Sequence, residues 1–137
     1  MNYVLDAFAV LTYLGDEEGA DKVEELLDRA KNGEIKLIMN YVNLGEVYYI
    51  IAREFGVAKA NEVMTIIKRW DLEFVGVDES LSLTAARIKA IHSLSYADAF
   101  VVATAIGRKG TIVTGDREFE GVYPDILWIR RFSNAAD

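Results

Sequence analysis

Short apolar runs alternate with longer stretches of helical character along this chain, and that alternation limits the fold more than any other feature of the sequence. NYVLD at 2–6 reads as a strand that closes on Asp6, with a helical stretch following through about Leu14. From Asp16 to about Lys31 the apolar positions Ala20, Val23, Leu26, Leu27 and Ala30 recur against charged residues, the period of an amphipathic helix. Lys36 to Met39 reads as a second strand. Asn43 is then expected to open a helix in which Val47, Ile50 and Ile51 share a face, stopped by Gly56. A helix over about Ala58 to Trp70 leads to a third strand over Glu73 to Val77, and Asp78 starts a helix reaching about Ile91. Ser95 starts another helix, ended by Gly107 to Gly110. Thr111 to Thr114 is a fourth strand, and Ile126 to Arg130 a fifth. Apolar strands alternating with helices predict an α/β fold whose mainly parallel sheet is buried on both faces. Ligand sites in such folds lie beyond the carboxyl ends of the strands.

Four acids are expected at that edge. Asp6 closes the first strand, Glu46 sits near the start of the helix after the second, Asp98 near the start of an otherwise apolar helix, and Asp116 just after the fourth strand in TIVTGDREF. Each has a plain structural explanation. Glu46 and Asp98 stand three residues after Asn43 and Ser95, which is capping-box spacing; Asp6 fits a helix cap, and Gly115 with Asp116 fits a turn. Jointly they are harder to explain. Two carboxylates about 5 Å apart at an effective dielectric of about 20 repel by roughly 3 kcal/mol, and a helix dipole offsets only about 0.3 to 1 kcal/mol. Either some of them stay protonated or a divalent cation sits among them. An all-oxygen donor set favours a hard ion, Mg2+ or Mn2+, and with it phosphate-ester chemistry.

Composition narrows the class. The 137 residues are expected to form one domain, 1–137, with a sizeable core. Cysteine is absent, which excludes disulfides and thiolate metal sites and is compatible with a reducing cytosol. No basic leader and no uncharged apolar run of roughly 18 residues stands out, so a soluble, cytoplasmic protein is expected. The formal charge of −7 argues against a protein whose task is coating nucleic acid, although an enzyme that touches it briefly is compatible. For an anionic substrate, Arg117 beside Asp116 is the best-placed cation, ahead of Arg53, Arg87 and Arg108. His92, the single histidine, sits near a helix C-terminus and receives no catalytic role.

LDAFAVLTYL, NLGEVYYI and SYADAFVVATAIGRKGTIVTGDREF, with acids in the order Asp, Glu, Asp, Asp, resemble the PIN-domain ribonucleases, especially the VapC-type toxins of toxin–antitoxin pairs. The resemblance runs over essentially the whole chain, and its most specific part is ADAF followed by an apolar helix and a TGDREF-like turn. It implies a three-layer α/β/α fold with a mainly parallel sheet of four to five strands, and cleavage of RNA with Mg2+ or Mn2+. Carried over by position, Asp6, Glu46, Asp98 and Asp116 would form the acidic quartet, with Asp6 and Asp98 as direct ligands, Asp116 more loosely engaged and Thr114 a supporting hydroxyl. A homodimer and a VapB-type antitoxin partner are implied too. Tyr48, Tyr49 and Phe55 broaden the apolar face of the helix after Asn43; core packing accounts for them, and a self-association surface or antitoxin groove is the alternative. Ala7 and Phe8 depart from the Ser, Thr or Asn that the family often carries after its first Asp, and Glu118 stands where many members have Asp. Two other readings stay open: a noncatalytic binding module that retains the acids as caps, and a small phosphatase, weakened by the lack of an Asp-x-Asp motif after the first strand.

Overall fold

The computed structural model describes residues 1–132. Residues 133–137, included in the expected domain 1–137, lie outside the described residues. The strands are β1 (Asn2–Leu5), β2 (Lys36–Asn40), β3 (Leu72–Val75), β4 (Thr111–Thr114) and β5 (Ile126–Trp128). They form one sheet in the order β3-β2-β1-β4-β5, and every pairing is parallel. The helices are α1 (Ala7–Leu14), α2 (Ala20–Lys31), α3 (Tyr41–Phe55), α4 (Val57–Ile67), α5 (Glu79–Ile91) and α6 (Tyr96–Arg108), with a short 3-10 turn at Arg117–Phe119.

Strand side chains alternate between the two faces, and the core divides accordingly. Tyr3, Leu5, Leu37, Met39 and Val113 face one side, where Val10 of α1, Val23 of α2, Val47 of α3 and Val63 of α4 cover them. Val4, Ile38 and Ile112 face the other, against Ala85 and Ile88 of α5 and the run from Ala99 to Ala105 in α6. The result is three layers, helix, sheet and helix. The central strands β1 and β4 are almost wholly buried, while the edge strands β3 and β5 are half-exposed, so the continuous apolar runs belong to the middle of the sheet. Helix α6 is buried continuously from Asp98 to Ala105 because β1, β2 and β4 lie on one side of it and α3 and α5 on others. No single helix among the described residues is long and apolar enough to cross a membrane.

Chain order places the functional edge. The chain begins in the middle of the sheet at β1, builds outward through β2 to β3, then returns to the other side of β1 as β4 and β5. The order therefore reverses between β1 and β4, and the crevice beyond the carboxyl ends of such a pair is where open α/β sheets bind ligands. Asp6 follows β1 there, and Gly115-Asp116 follows β4.

Two helix starts differ from the sequence expectation. Helix α2 begins at Ala20 rather than Asp16, because Asp16 and Gly19 adopt left-handed backbone, φ 50° and 102°. A Cβ on Gly19 would lie 2.3 Å from the Ile129 carbonyl oxygen, so this turn needs glycine. Helix α3 is capped by Asn40, whose Oδ1 accepts the Asn43 N–H at 2.8 Å, and Asn43 lies inside the first turn. The capping-box pairing of Asn43 with Glu46 is thus absent.

Candidate active site

Each acid enters the site from a different element, and local bonds fix each of them. Asp6 caps α1: its Oδ1 accepts the Ala9 N–H at 2.8 Å, and its Oδ2 accepts the Thr114 hydroxyl at 2.5 Å. The same Thr114 hydroxyl accepts the Asp116 N–H at 2.8 Å. One fully buried side chain at the end of β4 thereby fixes two acids belonging to neighbouring strands. Asp116 caps the 3-10 turn by accepting the Glu118 N–H at 3.0 Å. Asp98 donates its N–H to Ser95 Oγ at 3.1 Å. Among the described residues no bond returns from the Asp98 carboxylate to the Ser95 N–H, so the acid itself is free of the capping role.

A second set of polar contacts holds these elements in register. Asn43, fully buried, accepts the Ala7 N–H at 3.2 Å through Oδ1 and donates to the Ala97 carbonyl at 3.1 Å through Nδ2. Those are the residues directly after Asp6 and directly before Asp98. The Asn43 amide also donates to Asn40 Oδ1 at 3.1 Å, and Asn40 Nδ2 reaches Thr104 Oγ1 at 3.2 Å. Thr104 donates in turn to the Phe100 carbonyl at 2.7 Å inside α6. A satisfied buried network of this kind fixes geometry that apolar packing alone leaves adjustable. By sequence Asn43 fits a cap; the sign of its actual role is a second Asn three residues earlier, at the end of an apolar strand.

Among the described residues, one group of three acids has ligand oxygens all within 4.8 Å of one another: Asp98, Asp116 and Glu118. Asp98 and Asp116 are among the acids the sequence places in the site, and Glu118, which stands where many family members have Asp, joins them. Asp6 and Glu46 lie outside this tight group but within its field. Burial pushes the Asp98 carboxyl up to about 7, with Asp116, Glu46 and Glu118 adding to the shift and the Ser95 hydroxyl opposing it. Burial pushes Asp6 up to about 8, reinforced by Asp98 and Asp116 and opposed by the bonds from Thr114 and Ala9. Glu46 is raised by burial and by Asp116. The groups that lower Asp6 and Asp98 are hydrogen-bond donors, not cations. Such a cluster either retains protons near neutrality or takes up an external positive charge. Its all-oxygen donors, open on the Asp116 and Glu118 side, suit a hard divalent cation.

The expected arginines separate. Arg108 pairs with Glu73 at the opposite end of the sheet, Arg53 lies over the Tyr49 ring, and Arg87 bonds Thr84. Arg117 stays beside the acids but pairs with the exposed Glu120 at 3.3 Å. Sequence reasoning missed Arg130, whose Nε donates to the Gly115 carbonyl at 2.9 Å.

Comparison with curated proteins gives no match at the level of sequence. Solved structures match closely in shape. VapBC from Salmonella typhimurium bound to DNA superposes with a TM-score of 0.72 at 18% identity, covering 95% of this chain and 99% of that one. VapBC2 from Rickettsia felis, bound to a fragment of its promoter DNA, gives 0.71 at 17% identity, with 93% and 97% covered. For VapC20 of Mycobacterium tuberculosis, a toxin that cleaves the sarcin-ricin loop, the values are 0.65 and 16%, with 88% and 95% covered. These identities carry the fold alone. The sequence itself matches the PIN domain over residues 3–123, which is most of its length. An edge built from Asp6, Thr114 and the Asp98–Asp116–Glu118 group on this sheet therefore lies within a known lineage: the chain belongs to the PIN domain family.

Proposed function

We propose that this protein is a divalent-cation-dependent endoribonuclease, the toxin of a VapBC-type toxin–antitoxin pair, with Asp6, Glu46, Asp98 and Asp116 as its acidic site and Glu118 as a further ligand. The observation that carries the reading is the convergence of Asp98, Asp116 and Glu118 within 4.8 Å beside a buried Asp6 whose carboxyl is pushed up to about 8. Capping alone does not require that crowding. A noncatalytic module would gain nothing from its cost.

Asp98, Asp116 and Glu118 would hold the ion, Mg2+ or Mn2+, with Asp6 and Glu46 supplying negative charge behind it. A dication there supplies a Lewis acid for a phosphoryl oxygen and lowers the pKa of water. Thr114 keeps Asp6 and Asp116 at fixed separation by donating to one and accepting from the backbone of the other. Asn43 ties the first turns of α1 and α6 together, next to Asp6 and Asp98. Water attack on the phosphodiester with departure of the 3′-oxygen leaves a 5′-phosphate and a 3′-hydroxyl. Arg117 stands at the rim, where meeting a substrate phosphate would require it to leave Glu120.

Partner binding is part of the proposal. Structures of this shape include complexes named for both VapB and VapC components, and a VapB-type antitoxin is the partner inferred here. An apolar groove of about 470 Å³ between α1, α3 and α4 is lined by Leu11, Leu14, Ile50, Phe55 and Ile66. Phe55 is 65% exposed, enough apolar surface to seat an antitoxin segment or a second copy in a homodimer.

The test is cleavage of end-labelled RNA by wild-type protein with Mg2+ or Mn2+, by wild type in excess chelator, and by Asp98→Asn. Cleavage that requires the cation and Asp98, and that leaves 5′-phosphate ends, is expected. Cleavage that persists in chelator or in the variant would refute the reading.

A further inference from the structure

A protein of charge −7 with an acidic site must still hold a polyanion, and the structure points to a cation that the acids leave unused. Arg130 follows the edge strand β5 and reaches back to the functional edge, where its Nε donates to the Gly115 carbonyl at 2.9 Å, one residue before Asp116. Its guanidinium carbon lies 4.6 Å from the centroid of the Phe8 ring and 5.3 Å from that of Phe132. Phe8 in turn supports the turn itself. A Cβ on Gly115 would fall 2.4 Å from Phe8 Cε1, so Gly115 packs directly on that ring. Phe8, Gly115 and Arg130 are thus one packed unit joining the helix capped by Asp6 to the turn carrying Asp116.

The chemistry of this unit suits phosphate. A guanidinium has five N–H donors, and the bond to Gly115 uses one. Among the described residues Arg130 has no carboxylate partner, whereas Arg117 is paired with Glu120 and Arg108 with Glu73. Stacking on aromatic rings restrains the side chain without consuming its donors, and a weakly hydrated planar fork matches a phosphodiester. Phe8 stands where the family often places a small polar residue, and in this chain it serves as the platform for a cation.

We propose that Arg130, positioned by Phe8 and the Gly115 carbonyl, binds a backbone phosphate of the RNA strand entering the acidic site. The inference rests on the ribonuclease reading and adds to it the residue that captures the substrate.

The experiment uses the full-length Asp98→Asn protein in Mg2+, a background that binds without cutting, and a short fluorescein-labelled single-stranded RNA. Binding is followed by anisotropy over a range of salt concentrations. Adding Arg130→Gln should weaken binding about tenfold, the range of one charge-assisted hydrogen-bonded contact. The slope of log affinity against log salt should become shallower by about 0.7, one phosphate's worth for a single strand. Arg130→Lys should keep the slope while losing part of the affinity. In the otherwise wild-type enzyme Arg130→Gln should raise KM with kcat little changed. An unchanged salt slope, with the loss confined to melting temperature or Mn2+ affinity, would make Arg130 a clamp for the turn and overturn the inference. That outcome leaves the ribonuclease reading standing, whereas a parent protein that binds no RNA, or wild type that cuts none, overturns both.

Discussion

At the edge where the strands begin, Lys36 lies 3.6 Å from Glu73, Arg108 pairs with the same carboxylate, and Asn2 donates to the Arg108 carbonyl at 2.8 Å. Where β1 and β4 end, Asp6, Glu46, Asp98, Asp116 and Glu118 crowd together with their pKa values raised wherever a shift is resolved. Helix α6 spans both, carrying Asp98 in its first turn and Arg108 in its last. At the first edge one carboxylate meets two cations, so no negative charge there is left unpaired. The carboxylates at the second outnumber Arg117 and Arg130 beside them, an imbalance that protons or an external cation can meet. Among the described residues the ion pair beside these acids, Arg117 with Glu120, lies on the exposed rim and leaves the buried carboxylates unpaired.

The largest effect should come from relieving the imbalance. Asp98→Asn is expected to lower RNA cleavage by about 100-fold or more while raising the melting temperature of the cation-free protein at pH 8. It should also reduce the stabilisation that Mn2+ confers on wild type. The pH dependence has a definite sign. Folded Asp6 and Asp98 hold their protons to about 8 and about 7 against an unperturbed 3.8, so between those limits the folded protein binds more protons than the unfolded chain. Their contribution to cation-free stability is present in full below about pH 4 and is lost as pH rises through 7 and 8. Thermal melts in chelator across this range check it, and a stability that climbs steadily toward pH 8 would contradict it.

Next in size is the scaffold behind the acids. Asn43→Ala should weaken Mn2+ binding about 10-fold or more, the usual effect of removing a supporting contact around a metal site, with calorimetric titration as the measurement. Thr114→Val leaves an Asp6 oxygen and the Asp116 N–H without their partner and should cost about 1 to 3 kcal/mol in denaturant melts. Thr114→Ser should restore it. The smallest effect belongs to the opposite edge: Glu73→Gln, at a half-buried ion pair, should cost about 1 kcal/mol and should leave cleavage rates unchanged. A loss of activity there would remove the contrast between the edges.

Much of this was legible in the sequence because buried parallel strands are apolar throughout. All five strands and six helices were expected from runs such as NYVL and TIVT and from their spacing, and the acids from their places just after strands or in first turns. Residue order carries no record of which distant groups meet. The amide of Asn43 bridging Ala7 to Ala97, and Arg130 folding back over Phe8 to Gly115, are tertiary contacts between elements tens of residues apart. Asn40 and Asn43 both fit a helix cap by type and both are fully buried, and only their hydrogen-bond partners separate the one that caps from the one that clamps. Glu118 entered the acid group because the Asp116-capped turn swings it toward Asp98, a consequence of backbone geometry that one extra methylene does not reveal.

On this account the acidic edge takes up an external cation, balancing carboxylates that Arg117 and Arg130 leave unmatched. Anomalous diffraction from crystals soaked in Mn2+ tests that claim most directly. A single strong peak within about 2.0 to 2.4 Å of carboxylate oxygens from Asp98 and Asp116, absent in Asp98→Asn, is the predicted result. Crystals that take up Mn2+ only elsewhere, or an acidic edge that stays empty at saturating Mn2+ and pH 8, would contradict it.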